Sequence, residues 1–121
     1  MKTPRIRGYH WQYDGWNIAP ELLGDSVELL LFCKRLMALL HMTPLGRASV
    51  HVVDGHGTQW GAGVTILLPI TDSHIAVQTL PQAGQVFLDV FSCKPLERAQ
   101  LRQDVQAFFM GRGKDRLIKR G

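Results

Sequence analysis

No run of this sequence is both long and apolar enough to span a bilayer. The two longest candidates, residues 27–40 and 64–70, are short or are punctuated by Glu28, Lys34 and Arg35, whereas a spanning helix needs about 20 consecutive apolar residues. No signal-peptide pattern opens the chain either, so no membrane partner is expected. Cysteine is scarce: Cys33 and Cys93 are too few for a disulfide framework and suit a reducing compartment, which points to the cytoplasm. Cys33 falls inside a helical pattern and reads as a small core residue, while Cys93 stands between strand and turn beside polar neighbours. Metal spacing is missing too, since His10, His41, His51 and His56 lack the close partners of a zinc site, and no metal is expected. The basic termini (Lys2, Arg5 and Arg7, then Arg112, Lys114, Arg116, Lys119 and Arg120) produce the net charge of +4. The C-terminal run has no interleaved aromatics and no binding motif, so it reads as a solvated tail with no nucleic-acid partner. Repeats, low-complexity tracts and linkers are absent, and residues 1–121 read as one unit.

What is present is an ordinary globular balance, 45% hydrophobic and 20% charged. A chain of this length buries roughly 65 to 70% of its unfolded surface around one core. Residues 8–13 alternate aromatic and polar side chains with the period of a half-buried strand, and Asp14-Gly15 offers turn chemistry. A helix is expected from Asp25-Ser26, where either side chain can cap it, to Leu40, stopped by Pro44 and Gly46. Strands follow over 47–53, 64–69, 74–80 and 85–91, with a glycine-rich loop at 54–61 and a turn at 81–84. The third strand is apolar almost throughout, which suggests burial on both faces or a subunit contact. A second helix is expected over 96–110, with Leu101, Val105 and Phe108 on its inner stripe and Gly111 and Gly113 ending it. This order predicts an α+β two-layer sandwich, an antiparallel sheet with two helices on one face.

One stretch carries chemistry. Ser73 follows Asp72 at a strand start, and a serine hydroxyl can attack the carbonyl of the peptide bond before it when the backbone there is strained. The resulting N-to-O acyl shift makes an ester, and elimination from it leaves a pyruvoyl group at the new N-terminus. Such a site needs the hydroxyl at residue 73, a second hydroxyl for the oxyanion and a base for the α-proton. The Asp-Ser-His triplet is also a common turn.

The segment Pro69-Ile70-Thr71-Asp72-Ser73-His74-Ile75-Ala76-Val77, then Thr79, Pro81 and Gly84, then Asp89-Val90-Phe91-Ser92-Cys93 resembles the centre of the small prokaryotic S-adenosylmethionine decarboxylase proenzymes. The resemblance spans about residues 60–95, and it marks the chain as a divergent member. It implies a pyruvoyl cofactor made from Ser73 by autocatalytic cleavage of a zymogen into residues 1–72 and 73–121. It further implies proton return by Cys93, help for the acyl shift from Thr65, and a role in spermidine biosynthesis as a homodimer of processed protomers acting on a small-molecule substrate. Departures are Asp72 for the family's glutamate, Gln78 for the histidine that serves as processing base, and Leu80 and Gln82 for tryptophan and glutamate, the latter a contact to the substrate ribose.

A neutral amide at Gln78 cannot act as that base. His74 is a candidate substitute, although alternation along a strand turns it away from Ser73. Trp60, in the glycine-rich loop, either stacks on adenine or packs. Two further readings stay open. One keeps the pyruvoyl chemistry but changes the substrate to a small amino acid such as ornithine or arginine, motivated by Leu80 and Gln82. The other, motivated by Gln78, is an unprocessed regulatory homologue without catalysis.

Overall fold

The computed structural model describes residues 3–121; Lys2 of the basic lead-in lies outside the described residues. The strands are β1 (Gly8–Trp16), β2 (Ser49–Val53), β3 (Gly63–Ile70), β4 (Ser73–Leu80), β5 (Gln85–Ser92) and β6 (Arg112–Arg120). The helices are α1 (Pro20–Leu23), α2 (Ser26–Leu39) and α3 (Arg98–Phe109). All six strands form one antiparallel sheet in the order β2-β3-β4-β5-β1-β6. The helices and the inward side chains of the sheet enclose the core, so the architecture is the expected α+β sandwich, with one strand and one short helix more than expected.

Sheet side chains alternate as a half-buried surface demands. On β4, Ile75, Val77 and Thr79 are buried; on β5, Val86, Leu88, Val90 and Ser92 are. Trp11 and Tyr13 from β1 are buried on the same inner face. Against this face α2 lays Leu29, Phe32, Cys33 and Leu36, and α3 lays Leu101, Val105 and Phe109. Asp25 caps α2 by accepting the Glu28 amide N–H at 3.1 Å. Cys33 is a buried core residue, and burial pushes its thiol pKa up to about 12. Phe109 takes the inner position expected of Phe108, which instead stacks on Phe32 with ring centroids 4.1 Å apart.

Four expectations need correction. The basic C-terminal run is not a solvated tail: as β6 it pairs with β1 from Gly8↔Arg120 to Trp16↔Arg112. Its high charge hides an alternation in which Gly113, Asp115 and Leu117 turn inward and Arg112, Lys114, Arg116 and Arg120 turn out. Asp14-Gly15 is not a turn, because β1 runs through it; a Cβ on Gly15 would meet Ile18 Cδ1 and Val86 Cγ1 at 2.9 Å. That glycine is there for close packing, and the chain bends instead at Asn17, with φ +55°. β3 is not buried on both faces, since Leu67 on the outer one is half exposed, and of the two readings of its apolar run the subunit contact is the one left. The helix layer, finally, holds a third, four-residue helix, α1.

Candidate active site

β3, β4 and β5 form a meander whose first turn is Thr71-Asp72. Ile70 pairs with Ser73 across it, which leaves only two residues to reverse the chain. Two-residue hairpin turns favour a positive φ in their interior, and Asp72 supplies it at +57°. A left-handed conformation costs an L-residue roughly 1–2 kcal/mol, less for aspartate than for a branched side chain. It persists only where the surroundings hold it. Here they do so from both sides: the Thr71 amide N–H donates to the Thr43 carbonyl at 3.0 Å, and the Asp72 carbonyl accepts the Cys93 amide N–H at 3.2 Å.

The Asp72–Ser73 bond therefore has a strained residue on its acyl side, an N–H donor on its carbonyl oxygen and a hydroxyl on the next residue. Strand β5 supplies the rest. Ser73 pairs with Ser92, and the Ser73 hydroxyl donates to Ser92 Oγ at 3.3 Å. Ser92 is fully buried and also accepts the Lys94 amide N–H at 2.9 Å. Cys93, one residue on, is exposed. Asp72, Ser73, Ser92 and Cys93 thus meet at one end of the sheet.

The other sequence-predicted residues lie elsewhere. Thr65 pairs with Gln78, and its Oγ1 donates to Gln78 Oε1 at 2.5 Å, while Gln78 Nε2 donates to the Thr79 carbonyl at 3.2 Å. Gln78 is five residues along β4 from Ser73, or roughly 16 Å at ~3.3 Å per residue. By alternation it also faces outward with His74 and Ala76, whereas Ser73 shares the inward side of Ile75 and Val77. His74 is exposed and stacks on Phe91 with centroids 5.3 Å apart, facing away from Ser73. Trp60, Leu80 and Gln82 do come together, lining an open cavity of about 490 Å³ with Gln59, Gln85 and Phe87. That cavity is at the far end of β4, and Trp60 is 65% exposed there.

The family model for S-adenosylmethionine decarboxylase matches residues 9–120. The chain belongs to the S-adenosylmethionine decarboxylase family. Its fold is also that of the adenosylmethionine decarboxylase from Aquifex aeolicus VF5, whose crystal structure it matches with a TM-score of 0.76. That match has 17% identity and covers 98% of this chain and 93% of that one. No curated protein matches the chain. Membership of the decarboxylase family extends the resemblance of residues 60–95 over nearly the whole chain, β6 included.

One residue of this cluster has no role assigned from sequence. Ser92 stands within the motif but shows nothing there to separate it from a strand serine. Its signal is register: once Leu80 is paired with Gln85 across the 3-10 turn Pro81–Ala83, counting back along both strands puts Ser73 opposite Ser92.

Proposed function

We propose that the chain is the proenzyme of a pyruvoyl-dependent S-adenosylmethionine decarboxylase that cleaves itself between Asp72 and Ser73 and serves spermidine synthesis. The observation that carries this is the Asp72–Ser73 bond, with φ +57° at Asp72, the Cys93 N–H on its carbonyl and the Ser73 hydroxyl beside it. Strain raises the energy of the intact peptide. An amide donor fixed on the carbonyl oxygen favours the charge that develops when a hydroxyl attacks. An attacking group on the adjacent residue loses little entropy.

These residues fit a group made in place from Ser73. A pyruvoyl group there supplies the electron sink for loss of carboxylate from an amine-bearing substrate. The chain's own side chains then have separable roles. Cys93 returns a proton to the product carbon, Trp60 stacks on the adenine, and Leu80 and Gln82 border the nucleoside. Two unpaired cysteines suit the cytoplasm as the place of work.

Within one chain the Thr65–Gln78 pair and the Trp60 cavity are remote from Ser73. A homodimer answers this. The outward sheet face exposes Leu67 and Phe87 at 50% and 43%, an apolar surface suited to a second copy. Two copies laid outer face to outer face in opposite directions can bring Thr65, Gln78 and Trp60 of one protomer over the β3–β4 turn of the other, where the Asp72–Ser73 bond lies.

Intact-mass measurement of the purified protein tests the reading. Two chains are expected, ending at Asp72 and starting with a pyruvoyl-blocked residue 73, together with carbon dioxide release from carboxyl-labelled S-adenosylmethionine. A single intact chain after long incubation overturns it, and release from ornithine or arginine alone overturns the substrate.

A further inference from the structure

We infer that Ser92 is a further catalytic residue of the self-cleavage, holding the Ser73 hydroxyl and relaying its proton; this rests on Ser73 being the processing serine. Among the described residues two polar side chains are wholly buried, Thr79 and Ser92. Thr79 has a structural role, since its Oγ1 donates to the Leu23 carbonyl at 2.7 Å and accepts the Val64 N–H at 3.0 Å, tying α1 to the sheet. Ser92 ties no helix to the sheet. Its oxygen is fixed by the Lys94 N–H at 2.9 Å, and its other contact is the Ser73 hydroxyl.

A serine otherwise rotates freely about its Cα–Cβ bond, and an acceptor fixed at 3.3 Å restricts that rotation. The contact is long for a hydroxyl pair, so Ser73 Oγ is guided without being trapped. In the acyl shift Ser73 Oγ bonds to the Asp72 carbonyl carbon, and the Asp72–Ser73 C–N bond breaks. The Ser73 hydroxyl proton passes to Ser92 Oγ, and Ser92 gives its own proton to the departing nitrogen. An ester and an amine result, with every proton accounted for and no external base. Gln78, outward-facing and bonded to Thr65, takes no part in this first step.

The test uses the full chain with Ser92→Thr, Ser92→Ala and the near-isosteric Ser92→Cys, followed by intact mass with and without hydroxylamine, which cuts the ester. Ser92→Thr, which keeps the hydroxyl, should cleave at close to the parent rate. Ser92→Ala and Ser92→Cys should cleave about 10²-fold more slowly, with no gain from hydroxylamine because the ester does not form. If the parent cleaves and both of these variants keep pace, or if hydroxylamine cuts them as fast as the parent, the role is overturned. If the parent never cleaves, with or without hydroxylamine, the processing reading falls first and this inference with it. Should Ser92→Ala misfold by circular dichroism, Ser92→Cys carries the comparison.

Discussion

At the residue scale, Asp72 and Gln78 pull the proposed processing in opposite directions. The positive φ of Asp72 is a cost that glycine would not bear. Asp72→Gly should therefore stabilise the intact chain by about 1 kcal/mol, and that relief converts to roughly fivefold slower cleavage. Thermal melts of a Ser73→Ala background and cleavage rates in the parent background measure the two halves separately; unchanged rates mean the strain plays no part in the cut. Gln78 is the reverse case, a neutral amide where the family resemblance implies a base. Gln78→His should speed conversion of the ester to the pyruvoyl end by about 10²-fold, read as the blocked fraction of the chain that begins at residue 73. No acceleration would mean that another group already takes the α-proton.

At the scale of elements, β6 is held by a cluster around Asp115. That carboxylate is 3% exposed; it accepts Trp11 Nε1–H at 2.9 Å and Arg98 Nε–H at 2.8 Å, with Arg102 Nε 3.7 Å away. Burial pushes its pKa up, but the hydrogen bonds from Arg98 and Trp11 and the charges of Arg98 and Arg102 outweigh it and hold the pKa below the ordinary value. A carboxyl lowered in the folded state contributes stability that is present above the unfolded pKa of about 4 and is lost as pH falls through the lower folded value. Asp115→Asn should cost about 2 kcal/mol near neutrality and flatten the acid limb below about pH 4. Urea titrations across that range check both, and parallel acid limbs would show that Asp115 is not the group responsible.

β6 also shows what could be read in advance. The meander was legible because its alternation is clean and its turns carry Pro81, Gly84 and Asp72 at telling positions. β6 was not, because Lys and Arg fill nearly every outward place and its inward residues are a glycine, a leucine and an aspartate whose partners on β1 and α3 are remote in sequence. The site divides the same way. Ser73 and Cys93 were legible as residue types at strand ends, whereas Ser92 and the separation of Thr65 from Ser73 depend on register and on which face each side chain takes.

At the scale of the molecule, the proposed outer-face dimer would make assembly and processing inseparable. Phe87→Arg on the outer face should yield a monomer by light scattering and should slow cleavage. A stable monomer that cleaves at the parent rate would show that each chain is self-sufficient. Mixing chains carrying Ser73→Ala with chains carrying Thr65→Ala and Gln78→Ala should restore part of the cleavage lost in the second set, since mixed dimers hold one complete site.

The strand order also determines what the proposed cut after residue 72 would do to the two pieces. Three strands, β1, β2 and β3, belong to the leading piece and β4, β5 and β6 to the trailing one, yet across the sheet they run leading, leading, trailing, trailing, leading, trailing. Three ladders, β3 with β4, β5 with β1 and β1 with β6, stitch one piece to the other. The nick falls at the end of a two-residue turn and leaves all three ladders in place along their length. The pieces are interleaved like the fingers of two hands, so a severed molecule should still unfold in a single step, and neither half can leave without dismantling the sheet.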